Sequence, residues 1–311
     1  MVAVGLPEPT RPTQATARRS RATRGRRAAG RVLPMIPAFA LLALFFLGPI
    51  LWCVYASFTD VALTGATAST PHLVGLRNYR RMFDDPQFRE SLWLTVVFVL
   101  GSAVIGQNAG GMILALLMKS RSRIARAVVG AIVVGAWVMP ELVAGFVWYA
   151  FLADDGTLNA ILHAMGLGGK SWLYATPLLA VTIANIWRGT AFSMLVYSAA
   201  LSNVPDDLLE AAAVDGASGY QRLRHITLPL MRRAVMTNLM TITLQTLAVF
   251  TLIFVMTGGG PGTKTQTLPI YMYQAAFKFY QLGYGAALAI VLIAVGAVFS
   301  VVYLRMMREE V

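Results

Sequence analysis

The 311-residue sequence is 57% hydrophobic and only 13% charged, with a mean hydropathy of +0.63. An ordinary soluble domain has about a quarter of its residues charged, so this composition excludes one and assigns an all-α polytopic membrane protein. The net charge of +12 invites a nucleic-acid reading, but the basic residues follow topology rather than one folded face. The single cysteine, Cys53, allows no disulfide framework, and His72, His163 and His225 fall in separate loops without metal-ligand spacing.

From the N-terminus, Arg11, Arg18, Arg19, Arg21, Arg24, Arg26, Arg27 and Arg31 lie among Ala, Thr and Pro with almost nothing to bury. Residues 1–31 therefore read as a disordered basic cytoplasmic tail; contact with anionic lipid or RNA is the alternative to a plain topology signal. The apolar run behind it is too long for a cleavable signal and lacks a small-residue cleavage pattern, so it is kept as a span. A membrane helix takes about 20 apolar residues. Six segments supply them, roughly 33–57, 92–118, 127–151, 176–200, 234–256 and 284–304, making residues 32–311 one six-span domain.

Lys119, Arg121, Arg123 and Arg126 fill the loop after the second span. By the positive-inside rule that loop, the tail, residues 201–233 and the C-terminus with Arg305 and Arg308 are cytoplasmic, and 58–91, 152–175 and 257–283 face outward. Arg77, Arg80, Arg81 and Arg89 in the first outer loop run against the rule, with Asp84, Asp85 and Glu90 among them.

Within the spans, Gly106 and Gly110 form a GxxxG beside Gly111, which suits close helix packing. Polar groups at membrane depth are costly unless they are paired or face a cavity. Gln107, Asn108, Glu141 after Pro140, Asn185, Arg188, Asn238 and Gln245 thus suggest a polar interior. Glu141 and Arg188 both fall near mid-span, where either charge alone is expensive, so they are expected to pair or to share a substrate. AMGLGGKS, Ala164 to Ser171, ends like a phosphate loop, but Ala164 stands where GxxxxGK(S/T) needs glycine and no strand precedes it. It reads as a turn, and neither an ATP site nor an enzyme's catalytic pair is expected. Glu141 is the lone intramembrane carboxylate, and the internal repeats of many secondary transporters are not apparent.

Residues 203–231 are polar and rich in capping residues. Asn203 or Ser202 is placed to cap a helix with Pro205, Asp206 and Asp207 in its first turn, and Gly216 suits the left-handed position that ends it. Ser218 with Gln221 reads as a capping box for a second short helix, and Pro229 marks its stop.

This stretch resembles the EAA loop of binding-protein-dependent ABC importer permeases. Glu210, Ala211, Ala212, Gly216, Ile226, Leu228 and Pro229 match every landmark of EAAxxxGx9IxLP, between the fourth and fifth of six spans. Further matches extend the likeness along nearly all the chain after the basic tail. VGLRNYRRMFDDPQF (Val74 to Phe88) looks like the GLxNYxxLFxDPxF of the carbohydrate branch, GGGPGTKTQTLPIYMYQAAF (Gly258 to Phe277) like the run after its fifth span, and GYGAALAIVL (Gly283 to Leu292) like the start of its last. They point to the first permease of maltose and glycerol-3-phosphate type importers.

The resemblance implies a bacterial cytoplasmic-membrane protein that works with a second permease, two ATPase subunits that bind ATP and Mg, and an extracytoplasmic solute-binding protein delivering a carbohydrate. It also implies no cofactor and no catalysis in this chain. Glu210, Ala211, Ala212, Asp215 and Gly216 would contact the ATPase. By alignment with the maltose member, Asn185, Arg188, Gly189, Phe192, Ile242, Gln245, Thr246 and Val249 would line the sugar path, with Phe192 and Phe250 available to stack. Arg188 departs from the apolar residue of the maltose member, which suits a phosphorylated polyol, another anionic solute or the pair with Glu141.

Overall fold

The computed structural model describes residues 36–119 and 121–308, all of it helices and connecting segments apart from one isolated bridge between Thr59 and Leu73. The basic segment 1–31 lies outside the described residues. Helix α1, Pro37–Ser57, is apolar on every face, as a helix bathed in lipid is. Residues 56–308 belong to a second compact unit. After a single helical turn at Ala66–Ser69 come the short α2, Arg77–Asp84, and the long α3, Pro86–Lys119.

The segment expected to be a single third span is instead two helices, α4 (Arg123–Val138) and α5 (Glu141–Leu152). The arms Arg123–Val138 and Glu141–Ala164 are bent by 105° at the break. Pro140 is the cause: it disfavours helical backbone at Met139 and brings no N–H of its own, and both residues are extended, with ψ of 129° and 140°. Thr157–Ala164 is the short α6, and the unbroken fourth span is α7, Pro177–Leu201. The short α8, Asp206–Val214, follows.

Pro229 does not stop the second short helix. Helix α9 runs without interruption over Gly219–Leu247, with a widened turn at Leu223–Thr227 just before the proline. The wider turn accommodates the ring and the missing donor, so the polar loop continues directly into the fifth span. That span is in turn broken: α9 meets α10, Thr251–Thr257, at 47° across Ala248 to Phe250. Neither glycine nor proline marks this break. The short α11 (Leu268–Tyr273) and the last span α12 (Leu282–Met307) complete the chain. Among the described residues four helices are thus long and apolar enough to cross a membrane, or six spans if each bent pair counts as one.

The glycine pattern does what its spacing suggested. A Cβ on Gly106 would stand 2.3 Å from Ile186 Cδ1, and one on Gly111 2.3 Å from Ser193 Cβ and 2.8 Å from backbone, so α3 lies hard against α7. Around the first of these glycines α3 carries a widened turn at Leu100–Gln107, where Asn108 Nδ2 donates to Ala103 O at 2.9 Å.

At the predicted outer end the three resembling segments meet. Asn78 Nδ2 donates to Ser57 O and Thr59 O at 2.9 and 2.8 Å, and Tyr79 OH to Ser57 Oγ at 2.8 Å. Asp85 caps α3 through Gln87 N at 2.9 Å and accepts from the hydroxyls of Tyr271 and Tyr284. Burial acts to raise the Asp85 carboxyl, but those bonds and Arg81 outweigh it and hold it below the usual carboxylate range. Gly283 brings α12 within reach of the same loop, since a Cβ there would stand 2.2 Å from Thr59 O. The segment Ala164 to Ser171 is a turn, tied by Asn159, which donates to Lys170 O and accepts from Lys170 N and Trp172 Nε1.

Candidate functional site

The two helix breaks and α7 together line a cavity of about 640 Å³. Gln107 of α3, Trp137, Val138 and Glu141 of the first break, Asn185, Arg188 and Gly189 of α7, and Gln245, Thr246, Ala248 and Val249 of the second break line it. Six of the eight residues expected on the sugar path are there. Ile242 and Phe192 are not: Ile242 is buried in the helix interface, and Phe192 packs on the Trp137 ring at 5.8 Å. Phe250 is turned into an aromatic cluster, stacked on Phe254 at 5.1 Å and against Tyr273 at 5.0 Å. Trp137 therefore takes the place at the cavity wall that the sequence reading gave to phenylalanine, a substitution visible only once the third span is known to break.

Arg188 Nη1 donates to Glu141 Oε1 at 3.1 Å, and both side chains are partly exposed in the cavity wall. The break creates this pair: Glu141 is the first residue of α5, at the positive end of that helix. Beside it, Asn185 Nδ2 donates to Ser102 Oγ at 2.9 Å, and Gln107 Nε2 donates to Thr246 Oγ1 at 3.3 Å. Gly189 is needed for that layer, because a Cβ there would stand 2.0 Å from Gln107 Oε1. Gln245 is exposed and makes no side-chain hydrogen bond among the described residues. The cavity thus presents amides, a hydroxyl, one ion pair and an indole, a set suited to a hydroxyl-rich ligand. Among the described residues no group of three or more His, Cys, Asp or Glu is placed to hold a metal ion.

At the predicted cytoplasmic end, α8 starts at Pro205 without a side-chain cap. Asn203 and Ser202, expected to cap it, instead donate to Ala199 O and close α7, because Pro205 already sets the start of α8 and the α7 carbonyls stand nearer. Gly216 is left-handed at φ +86°, Gly216 N donates to Ala213 O and Ala217 N to Ala212 O, and Ser218 and Gln221 form the capping box. Arg222 donates to Leu209 O at 3.4 Å, joining α8 to α9. Glu210, Ala211, Asp215 and Gly216 stand exposed, with Ala212 half-buried behind them. Val214, which the sequence reading passed over, is 89% exposed on the same tip.

With this geometry in view, the sequence profile of binding-protein-dependent transport system inner membrane components matches residues 107–308. The chain belongs to this family. The permease is 36% identical over 283 residues to the sulfoquinovosyl glycerol transport system permease protein SmoG of Agrobacterium fabrum, covering 90% of each chain. It is 33% identical to the trehalose/maltose transport system permease protein MalF of Thermococcus litoralis, covering 89% of this chain and 92% of the relative. It shares its fold with a bacterial ABC transporter involved in the import of the acidic polysaccharide alginate, at TM-score 0.79 and 21% identity over 93% of this chain and 99% of that one. The carbohydrate-importer resemblance read from the motifs agrees with these relatives.

Proposed function

We propose that this permease forms half of the translocation path of a carbohydrate importer, with its cavity at the paired helix breaks as the sugar-contacting site. The lining carries the reading: amides, a hydroxyl and one ion pair beside an indole match the hydroxyls and apolar face of a pyranose. The names of the SmoG and MalF relatives support the same substrate class. A second permease completes the path, and a solute-binding protein delivers the sugar at the end carrying Asp85 and Tyr271. The chain's termini and the α8 tip lie in the cytoplasm. There Glu210, Ala211, Ala212, Asp215 and Gly216 meet one of two ATPase subunits, and closure of the ATPases rocks α8 and, through the unbroken α9, the second break.

The test is ATPase stimulation of the reconstituted complex by binding protein loaded with candidate sugars. Stimulation by a sugar-loaded binding protein, abolished by Glu210→Ala while the complex still co-purifies, is the expected result. Stimulation only by non-carbohydrate solutes sinks the carbohydrate reading, and full coupling in Glu210→Ala sinks the contact assigned to that residue.

A further inference from the structure

We infer that the permease's sugar carries an anionic group and that Arg188 reads it, exchanging its Glu141 partner for the substrate; this rests on the carbohydrate reading above. The pair is single-pronged. Only Arg188 Nη1 meets Glu141, at 3.1 Å to Oε1, and Arg188 Nε is buried with no hydrogen-bond partner among the described residues. A guanidinium binds a carboxylate or sulfonate best through two parallel donors. Arg188 therefore holds in reserve a donor that Glu141 does not use; it is shielded while the pair is formed and meets a ligand only when the guanidinium turns from Glu141, as the exchange requires.

Glu141 is also able to give Arg188 up. It opens the 12-residue α5, where the helix dipole supplies about half a positive charge to its carboxylate whether or not Arg188 is present. With Arg188 and Glu141 the only ionisable groups in the lining among the described residues, the wall carries a slight positive excess of about half a charge once that helix end is included. The other polar groups there, Gln107, Asn185, Gln245 and Thr246, are neutral and suit hydroxyls. One charged reader among neutral ones describes a sugar with a single anionic substituent. A fixed structural pair would be expected to use both prongs and to be sealed from the cavity, and this one is neither.

The experiment uses the complete importer in nanodiscs, without nucleotide or binding protein so that the cavity alone selects. Equilibrium binding is compared for a hexuronate disaccharide and its methyl ester, and for a sulfonated sugar and its hydroxyl counterpart. The wild type should bind at least one charged member about tenfold more tightly than its neutral partner, the effect of one charge-assisted hydrogen bond. Arg188→Gln should remove the preference, and Glu141→Gln should increase it. Equal binding of charged and neutral members, or a preference that survives Arg188→Gln, overturns the inference and leaves the carbohydrate reading standing. Failure of every sugar to bind overturns both. Should Arg188→Gln fail to assemble, Glu141→Gln decides: a stronger preference for the charged sugar supports the exchange, and an unchanged one refutes it.

Discussion

Gln107 and Asn108 are neighbours in sequence, yet they serve opposite kinds of polar layer. Asn108 turns to a closed cluster in which Tyr197 OH donates to its Oδ1, and Asn238 Nδ2 reaches Asn108 Oδ1, Ser193 Oγ and Tyr197 OH at 3.0 Å each. Among those atoms Asn238 Oδ1 alone is buried without a partner. Gln107 turns to the cavity layer, where Gln245, Glu141 and Arg188 keep hydrogen-bonding capacity in hand. The residue types are nearly the same. Where α3, α7 and α9 run unbroken, amides and hydroxyls find one another and lock the bundle. Where two spans break, the same chemistry is left facing a cavity.

The sharpest way to break this contrast is to force the unbroken part open. Gly111→Ala drives a Cβ into Ser193 and the α7 backbone, and should cost about 3 kcal/mol, the upper end for overpacking, read as a lower unfolding temperature of the complex. Asn238→Leu removes the hub of the closed cluster and leaves Asn108 and Tyr197 short of a partner. We expect a loss of about 2 kcal/mol without a change in sugar selectivity; altered selectivity would mean the two layers are not separate. Gln245→Ala should do the reverse, lowering sugar-stimulated ATPase about tenfold through one lost ligand contact while moving stability by less than about 0.5 kcal/mol. A destabilised Gln245→Ala would show that the cavity layer is structural after all.

The smallest effect concerns the outer cluster, a hydrogen-bonded group with a titratable centre. Because the folded Asp85 carboxyl is held below its ordinary value, its contribution is present at neutral pH and is lost as pH falls through that lowered value. Acid unfolding of Asp85→Asn should therefore be shallower than wild type at the acid end, followed by tryptophan fluorescence. Parallel curves would remove Asp85 from the acid response.

Much of this was legible in the residues. Apolar runs located the spans, and the Glu210 to Pro229 landmarks located the α8 tip, because local capping by Gly216, Ser218 and Gln221 fixes that backbone whatever surrounds it. Pro140 was visible as a residue but not as a bend of 105°, since proline in a membrane helix either kinks or ends it according to its neighbours. The second break carries no local signal at all. Ala248, Val249 and Phe250 leave the helix while Phe250 packs on Phe254 and on Tyr273, the latter from a distant segment of the chain.

The sequence by itself thus determined the membrane class, the number of apolar segments, the helix-dense glycine face and the capped α8 tip, all of which follow from hydropathy, steric size and bonds between near neighbours. Only the tertiary structure decided that α9 passes through Pro229, that Trp137 rather than Phe192 or Phe250 walls the cavity, and that Glu141 meets Arg188 with one prong. Each of those depends on where two helices break and what the broken ends face, and that is settled by packing between distant segments.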